Sequence, residues 1–319
     1  MNALASPLAA PAHAVAAIRS ESIATWLGGT LSSVDGAPVG RDDRFHLGSN
    51  TKAMTATLAG IAVERGLLQW DSDARELLGG GTARRATLER LLSHTAGIRA
   101  LTEDAELVDL PADRLALAQM LLDEEPLFAP GSDAAYSNGG YAVASALLEQ
   151  AFACDFETAL TGEVFEPLGL DAGFGWPKRV VGHYWHDGVL VPHDLGDGYA
   201  LGPPLTAAGD VSATIDSYAR FVQLHLRGLR GEAALLTVET FAKLHTPVIA
   251  VFALGWGIQE WEGARTSVHA GSAETYFAIV AVQPERDFAA VALLNAAGDA
   301  AERSAVGAVR RLVQENADA

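Results

Sequence analysis

Ser49 and Lys52 stand three residues apart where Phe45-His46-Leu47-Gly48 runs into an apolar stretch containing Ala53, Met54, Ala56 and Leu58. On a helix these positions share a face one turn apart, so the amine can approach the hydroxyl. A serine hydroxyl is a weak nucleophile until a base takes its proton, and a lysine is such a base only when its surroundings lower its pKa. The same letters also fit a structural role, with Ser49 capping the helix and Lys52 snorkelling to water. A second cluster, Tyr136-Ser137-Asn138, follows Ala129-Pro130-Gly131 and precedes a helix expected from Gly140. Its phenol can pass a proton to a leaving group and its carboxamide can bind a substrate amide; as a plain turn, Asn138 would cap the helix and Tyr136 would pack. The third cluster, His269-Ala270-Gly271-Ser272, ends a β-type run. A strand edge beside a nucleophile offers a backbone N–H to an oxyanion, and Gly271 permits close approach. His269 adds a donor near the leaving group or base, though a lone histidine at a strand end also fits a structural role.

The elements that must position these residues follow from periodicity. Residues 15–33 read as two short strands with a turn at Ser20-Glu21-Ser22, and 50–66 as a buried helix. Helical patterns recur at 88–93, 113–123, 140–152 and 156–164. A Gly- and Pro-rich stretch from 175 to 209 carries a hairpin at Asp187-Gly188. Helices resume at 215–227 and 238–245, strands follow at 254–261, 266–270, 276–282 and 288–294, and a last helix covers 301–314. Strands at both ends with helices between predict one sheet built from both termini (1–70 plus 205–319), a mostly helical inserted lobe (71–204), and a site in the groove between them.

Composition narrows the function. Against 22 Lys plus Arg stand 40 Asp plus Glu, a net charge of −18. Without a basic stripe, nucleic acid and anionic membrane surfaces are not expected partners. The single cysteine, Cys154, excludes an internal disulfide, and no run approaches the length of a membrane span. The first fourteen residues end in Ala12-His13-Ala14 but lack a basic n-region and are broken by Pro7 and Pro11, so a cytoplasmic location is expected rather than a signal peptide. His183, His186, His193 and Asp194 lie within a dozen residues but match no helical metal spacing, so no metal is expected and they line the groove or a loop. Trp176 and Trp256 wall the pocket or pack in the core. No Gly-x-Ser-x-Gly occurs, which removes the usual nucleophile elbow.

Taken together, Phe45-x-x-Gly48-Ser49-x-Thr51-Lys52, Leu91-Leu92-Ser93-His94-Thr95-Ala96-Gly97, Pro130-Gly131 through Tyr136-Ser137-Asn138-x-x-Tyr141, and His269-x-Gly271 resemble, in order, the signatures of serine β-lactamase-related proteins. The branch contains class C β-lactamases, D-Ala-D-Ala carboxypeptidases, D-aminopeptidases and family VIII esterases. The resemblance implies an α/β (α+β) fold of β-lactamase/transpeptidase type, an antiparallel sheet flanked by helices with an inserted all-α lobe. It also implies an acyl-enzyme on Ser49, with Lys52 and Tyr136 managing the proton and Asn138 and His269 facing the substrate. The N–H groups of Ser49 and Ser272 would form the oxyanion hole beside Gly271, and no cofactor or metal would be needed. The substrate would be a small molecule or peptide with an amide, β-lactam or ester bond. A family VIII-type esterase, an acyltransferase and a non-catalytic binding or sensor domain are the competing functions.

Two departures stand out. Relatives carry a helix before the first strand, which here looks missing or vestigial. Ala270 occupies the place of a threonine or serine whose hydroxyl helps hold a substrate carboxylate, a hydrogen bond of roughly 1.5–3 kcal/mol. No compensating arginine is evident in the sequence, Arg265 being only close along the chain.

Overall fold

The computed structural model describes residues 8–79, 86–102, 107, 109–193 and 201–318. The chain opens with the hairpin β1 (Ala12–Arg19) and β2 (Ser22–Gly29), then β3 (Arg44–His46). A 3-10 turn, Gly48–Asn50, leads into α1 (Thr51–Glu64). The middle is helical: α2 (Ala74–Leu78), α3 (Leu88–Leu92), α4 (Arg114–Asp123), α5 (Asn138–Phe152) and α6 (Phe156–Leu160). Next come β4 (Ala172–Phe174), the hairpin β5 (His183–His186) and β6 (Val189–Pro192), α7 (Thr206–Gly209) and β7 (Val211–Thr214). The chain ends with α8 (Ile215–Leu229), α9 (Val238–Leu244), β8 (Gly257–Trp261), β9 (Ala264–Ser272), β10 (Phe277–Gln283), β11 (Phe288–Leu294) and α10 (Asp299–Ala317).

Side chains that satisfy orphan N–H groups fix many of the helix starts. Asp73, Thr87, Asp113, Ser137, Asp155, Thr214 and Thr237 each accept from an amide of the first turn they precede. In the β5–β6 hairpin Asp187 and Gly188 both take positive φ, the twist that suits a two-residue turn.

The six-stranded sheet runs β2-β1-β11-β10-β9-β8 with every neighbouring pair antiparallel, so the first strands close against the last one. All residues of β10 and β11 are buried. Alternate side chains explain this: Ile279 and Ala281 pack under α10 with Ala305, Val309 and Leu312, while Ala278 and Val280 face Tyr218, Phe221 and Val222 of α8. The inner core continues from that second face through α1 into the inserted helices, around Leu91, Leu121, Tyr141 and Leu147.

Several boundaries differ from the sequence reading. The expected strand at 254–261 starts only at Gly257, because Gly255 takes φ +80 and lies so close to α1 that a Cβ there would meet Lys52 O at 2.8 Å. The strand at 266–270 is longer, Ala264–Ser272. The helix at 156–164 widens after Leu160 into a π turn, Thr161–Phe165. A small second sheet, β3-β7-β4, was not expected. Residues before the first strand fall largely in 1–7, outside the described residues, and among the described residues no helix is long and apolar enough to cross a membrane.

Candidate active site

Ser49 sits in the 3-10 turn, and its neighbours do the anchoring. Asn50 is fully buried; its Nδ2 donates to Leu47 O and Ala278 O while its Oδ1 accepts from the Tyr218 hydroxyl, tying the turn to β10 and α8. Thr51 Oγ1 donates to Gly48 O and accepts from Val211 N. The Gly48 amide donates to His46 Nδ1 at 3.1 Å, which leaves the other ring nitrogen to face Asp210 Oδ1 at 3.3 Å. Capping therefore does not consume the Ser49 hydroxyl, contrary to the structural role open to it in the sequence.

Lys52 does not snorkel. Its side chain is fully buried, with Nζ 2.6 Å from Ala208 O, 2.7 Å from Asn138 Oδ1 and 3.2 Å from Ser49 Oγ. The rings of Tyr136 and Tyr141 lie at 4.7 and 5.3 Å. Burial holds its pKa well below that of an ordinary lysine. A neutral amine has two N–H donors and one lone pair; the carbonyl and the carboxamide oxygen take the donors, and the lone pair is left toward the Ser49 hydroxyl.

Ser137, not Asn138, caps α5, its Oγ accepting from Gly140 N at 2.8 Å. Asn138 is thereby the first helical residue, with Oδ1 on Lys52 and one Nδ2 proton given to Leu101 O at 2.9 Å. Among the described residues its second N–H meets no acceptor. Tyr136 shares a hydrogen bond with Ser49, and burial pushes its phenol up to about 12. His94 clamps Tyr136 from both sides: His94 O accepts from Ala135 N, His94 Nδ1 accepts from Ser137 N at 3.1 Å, and the two rings lie 4.5 Å apart. Burial, then the charges of Lys52 and His269, push His94 well below the usual histidine range, so it keeps the neutral form this acceptor needs.

β9 completes the site. A Cβ on Gly271 would stand 2.6 Å from Ser49 N and 2.9 Å from Asn50 N, and closer still to Leu47 O. Gly48 makes the reciprocal approach: at φ +51, its Cβ would meet Ser272 O at 2.8 Å. β8 begins at Gly257, opposite Val268, so among the described residues His269–Ser272 has no partner strand on that side. His269 Nδ1 donates to Gly255 O at 2.7 Å, and burial and the Lys52 charge lower its pKa to about 4. A groove of about 470 Å³ lined by Ser49, Tyr136, Asn138, Ala270 and Ser272 opens here, with Leu101, Leu107 and Leu201 on its apolar side and Glu274 at its edge.

The Beta-lactamase family model matches residues 1–315. The chain belongs to the Beta-lactamase family. It is a serine hydrolase of that family. It is 28% identical over 316 residues to "Penicillin-binding protein 4" of Amycolatopsis lactamdurans, covering 89% of this chain and 81% of the relative. It is 33% identical over 194 residues to "Esterase EstB" of Burkholderia gladioli, covering 53% of this chain and 48% of the relative. The octameric penicillin-binding protein homologue from Pyrococcus abyssi superposes with a TM-score of 0.81 at 21% identity, over 96% of this chain and 74% of that one, a likeness of fold.

As a Beta-lactamase family member the chain gathers Ser49, Lys52, Tyr136, Asn138, Gly271 and Ser272 at one place, with His269 beside them. Other candidates lie elsewhere. Arg265 donates to His245 O and lines a separate cavity, so it does not replace the hydroxyl missing at Ala270. His183 is buried, accepting from Ser33 N and bonded to Asn295 O; His186 is exposed, His193 packs on Trp176, and Asp194 lies outside the described residues. Trp176 packs against Tyr276, whereas Trp256 stacks on His245 and walls a second cavity next to the groove. The sequence reading missed three contributors. Ala208 O is a backbone atom with no sequence signal, and the His46–Asp210 pair spans 164 residues. His94 was visible only as part of a motif, without a role.

Proposed function

We propose that this chain hydrolyses an ester or amide of a small molecule or peptide through an acyl-enzyme on Ser49. The observation that carries this reading is the buried Lys52 amine, whose two donors are occupied while its third direction meets Ser49 Oγ at 3.2 Å. Neutral Lys52 takes the Ser49 proton as Oγ attacks the carbonyl carbon. The backbone N–H groups of Ser49 and Ser272, held together by the Gly271 contact, face the oxyanion that forms. A phenol raised to about 12 is protonated at neutral pH, so Tyr136 is the acid that gives a proton to the departing atom, and Lys52 ammonium returns one to it. The free N–H of Asn138 holds the substrate carbonyl, and water then cleaves the acyl-Ser49 ester. The groove lies between a sheet lobe (1–70 plus 205–319) and a helical lobe (71–204), a division that belongs to the same proposal, as does a cytoplasmic location.

An ester substrate is favoured over a β-lactam by Ala270, which offers no hydroxyl to a carboxylate next to the scissile bond. The test is intact-protein mass spectrometry with turnover recorded on a p-nitrophenyl acetate, a chromogenic cephalosporin and a D-alanine p-nitroanilide. A mass shift on Ser49, absent in Ser49→Ala, is the expected result, with the ester turned over fastest. Wild-type turnover by Ser49→Ala would overturn the mechanism. Adding an alcohol or amine acceptor then separates hydrolysis from acyl transfer.

A further inference from the structure

We propose that the recess beyond Tyr136 is a leaving-group site for substrates whose departing half is an extended aromatic or apolar unit ending in a carboxylate. This deepens the acyl-enzyme reading above and rests on it for the direction of the substrate. Tyr136 and Ala270 line both the candidate groove and a second cavity of about 410 Å³, so the two spaces adjoin at these residues. Tyr136 hands its proton to the departing atom, which places the departing half on its far side. The second cavity is walled by Phe252, Trp256, Trp261, Val268 and Val306. Trp261 ends β8, four residues or roughly 13 Å along the strand from Gly257, so the recess suits an elongated group.

Arg310 of α10 lines this cavity, with its guanidinium 4.3 Å from the Trp261 ring centre. Arg310 is itself exposed, and among the described residues no carboxylate pairs with it, in a chain whose net charge is −18. A stacked guanidinium is oriented by the ring and keeps its N–H edge for a carboxylate. The anion it selects is therefore remote from the reacting carbonyl, unlike a carboxylate adjacent to the scissile bond, for which Ala270 provides nothing.

The test uses the acetate ester of 4′-hydroxybiphenyl-4-carboxylic acid and the matching 4-carboxamide ester, with p-nitrophenyl acetate as the short reference. Wild type should prefer the acid over the carboxamide by about tenfold in kcat/KM, the scale of one charge-assisted hydrogen bond. Arg310→Met should bring that ratio to about one, and Trp261→Ala should slow both biphenyl esters relative to p-nitrophenyl acetate. No preference in wild type, or a preference that survives Arg310→Met, overturns the proposal. Calorimetric binding of the free acid and its carboxamide decides the same point without turnover: tighter binding of the acid that is lost in Arg310→Met supports it, and equal or absent binding overturns it. Failure of all three esters to acylate Ser49 would instead overturn the acyl-enzyme reading.

Discussion

Gly271→Ala is the sharpest perturbation of the candidate site, because it adds one methyl group on the side of β9 that faces the Ser49 turn. The new Cβ would lie 2.3 Å from Leu47 O and 2.6 Å from Ser49 N, whereas ordinary contact begins at 3.4 Å. The turn must therefore retreat by about 1.1 Å to clear Leu47 O, and its obstacles are backbone atoms anchored through Asn50 and Thr51 rather than flexible side-chain ends. A misplacement of about 1 Å between reacting groups costs on the order of 100-fold in rate, and overpacking a tight contact costs about 1–3 kcal/mol of stability. We expect kcat for p-nitrophenyl acetate to fall by about two orders of magnitude while the protein stays folded. The matched control is Gly36→Ala, whose Cβ would meet nothing within 4 Å and should be nearly silent. Steady-state kinetics with thermal melts on both variants separates rate from stability. A Gly271→Ala enzyme with kcat within threefold of wild type would refute the claim that this contact sets the oxyanion donors.

Two pH effects follow from burial. Activity should rise with pH as Lys52 loses its proton and then stay level through the alkaline range, since Tyr136 ionises only near 12; a pH–kcat/KM profile that falls between pH 8 and 10 without loss of fold would count against Tyr136 as the protonated acid. Stability should fall on acidification: His225 and His269 are lowered to about 3 and 4 from 6.5, so the unfolded chain takes up their protons first. Their contribution is full above about pH 6.5 and drains away as pH drops toward these folded values, with roughly 3 kcal/mol for His225 by pH 4 as an upper scale. Urea midpoints at pH 7 and 4.5, compared with those of His225→Gln, check this, and an identical slope in both proteins would sink it.

The candidate site was legible where the proposed chemistry requires residues to be close in sequence. Ser49 and Lys52 share a helix turn, Tyr136 and Asn138 share a loop, and Gly271 precedes Ser272 on one strand, so spacing alone suggested each cluster. The strong apolar runs of β10 and β11 and the Ser20–Glu21 turn were legible for the same local reason. What stayed hidden depends on contacts made across the fold. Ala208 contributes a carbonyl, which any residue could supply; His46 and Asp210 meet only because β3 and β7 pair. That small sheet itself has strands of three or four residues, too short to show alternation. The start of α5 was misplaced because Ser137 and Asn138 are both good caps, and only the geometry decides which side chain turns back to Gly140 and which reaches Lys52.

The sheet in which β1 lies between β2 and β11 has a consequence for biosynthesis. Ser49 and Lys52 leave the ribosome early, but the strand carrying Gly271 and Ser272, and the β11 edge on which β1 must pair, are made more than 200 residues later. Such distant pairings are closed late and slowly. On the acyl-enzyme reading the nascent chain therefore carries Ser49 without the Ser272 amide proposed to face its oxyanion, and a C-terminal truncation that removes β11 leaves β1 and β2 as an unsupported hairpin. On the acyl-enzyme reading, hydrolytic competence arrives only with the last strands.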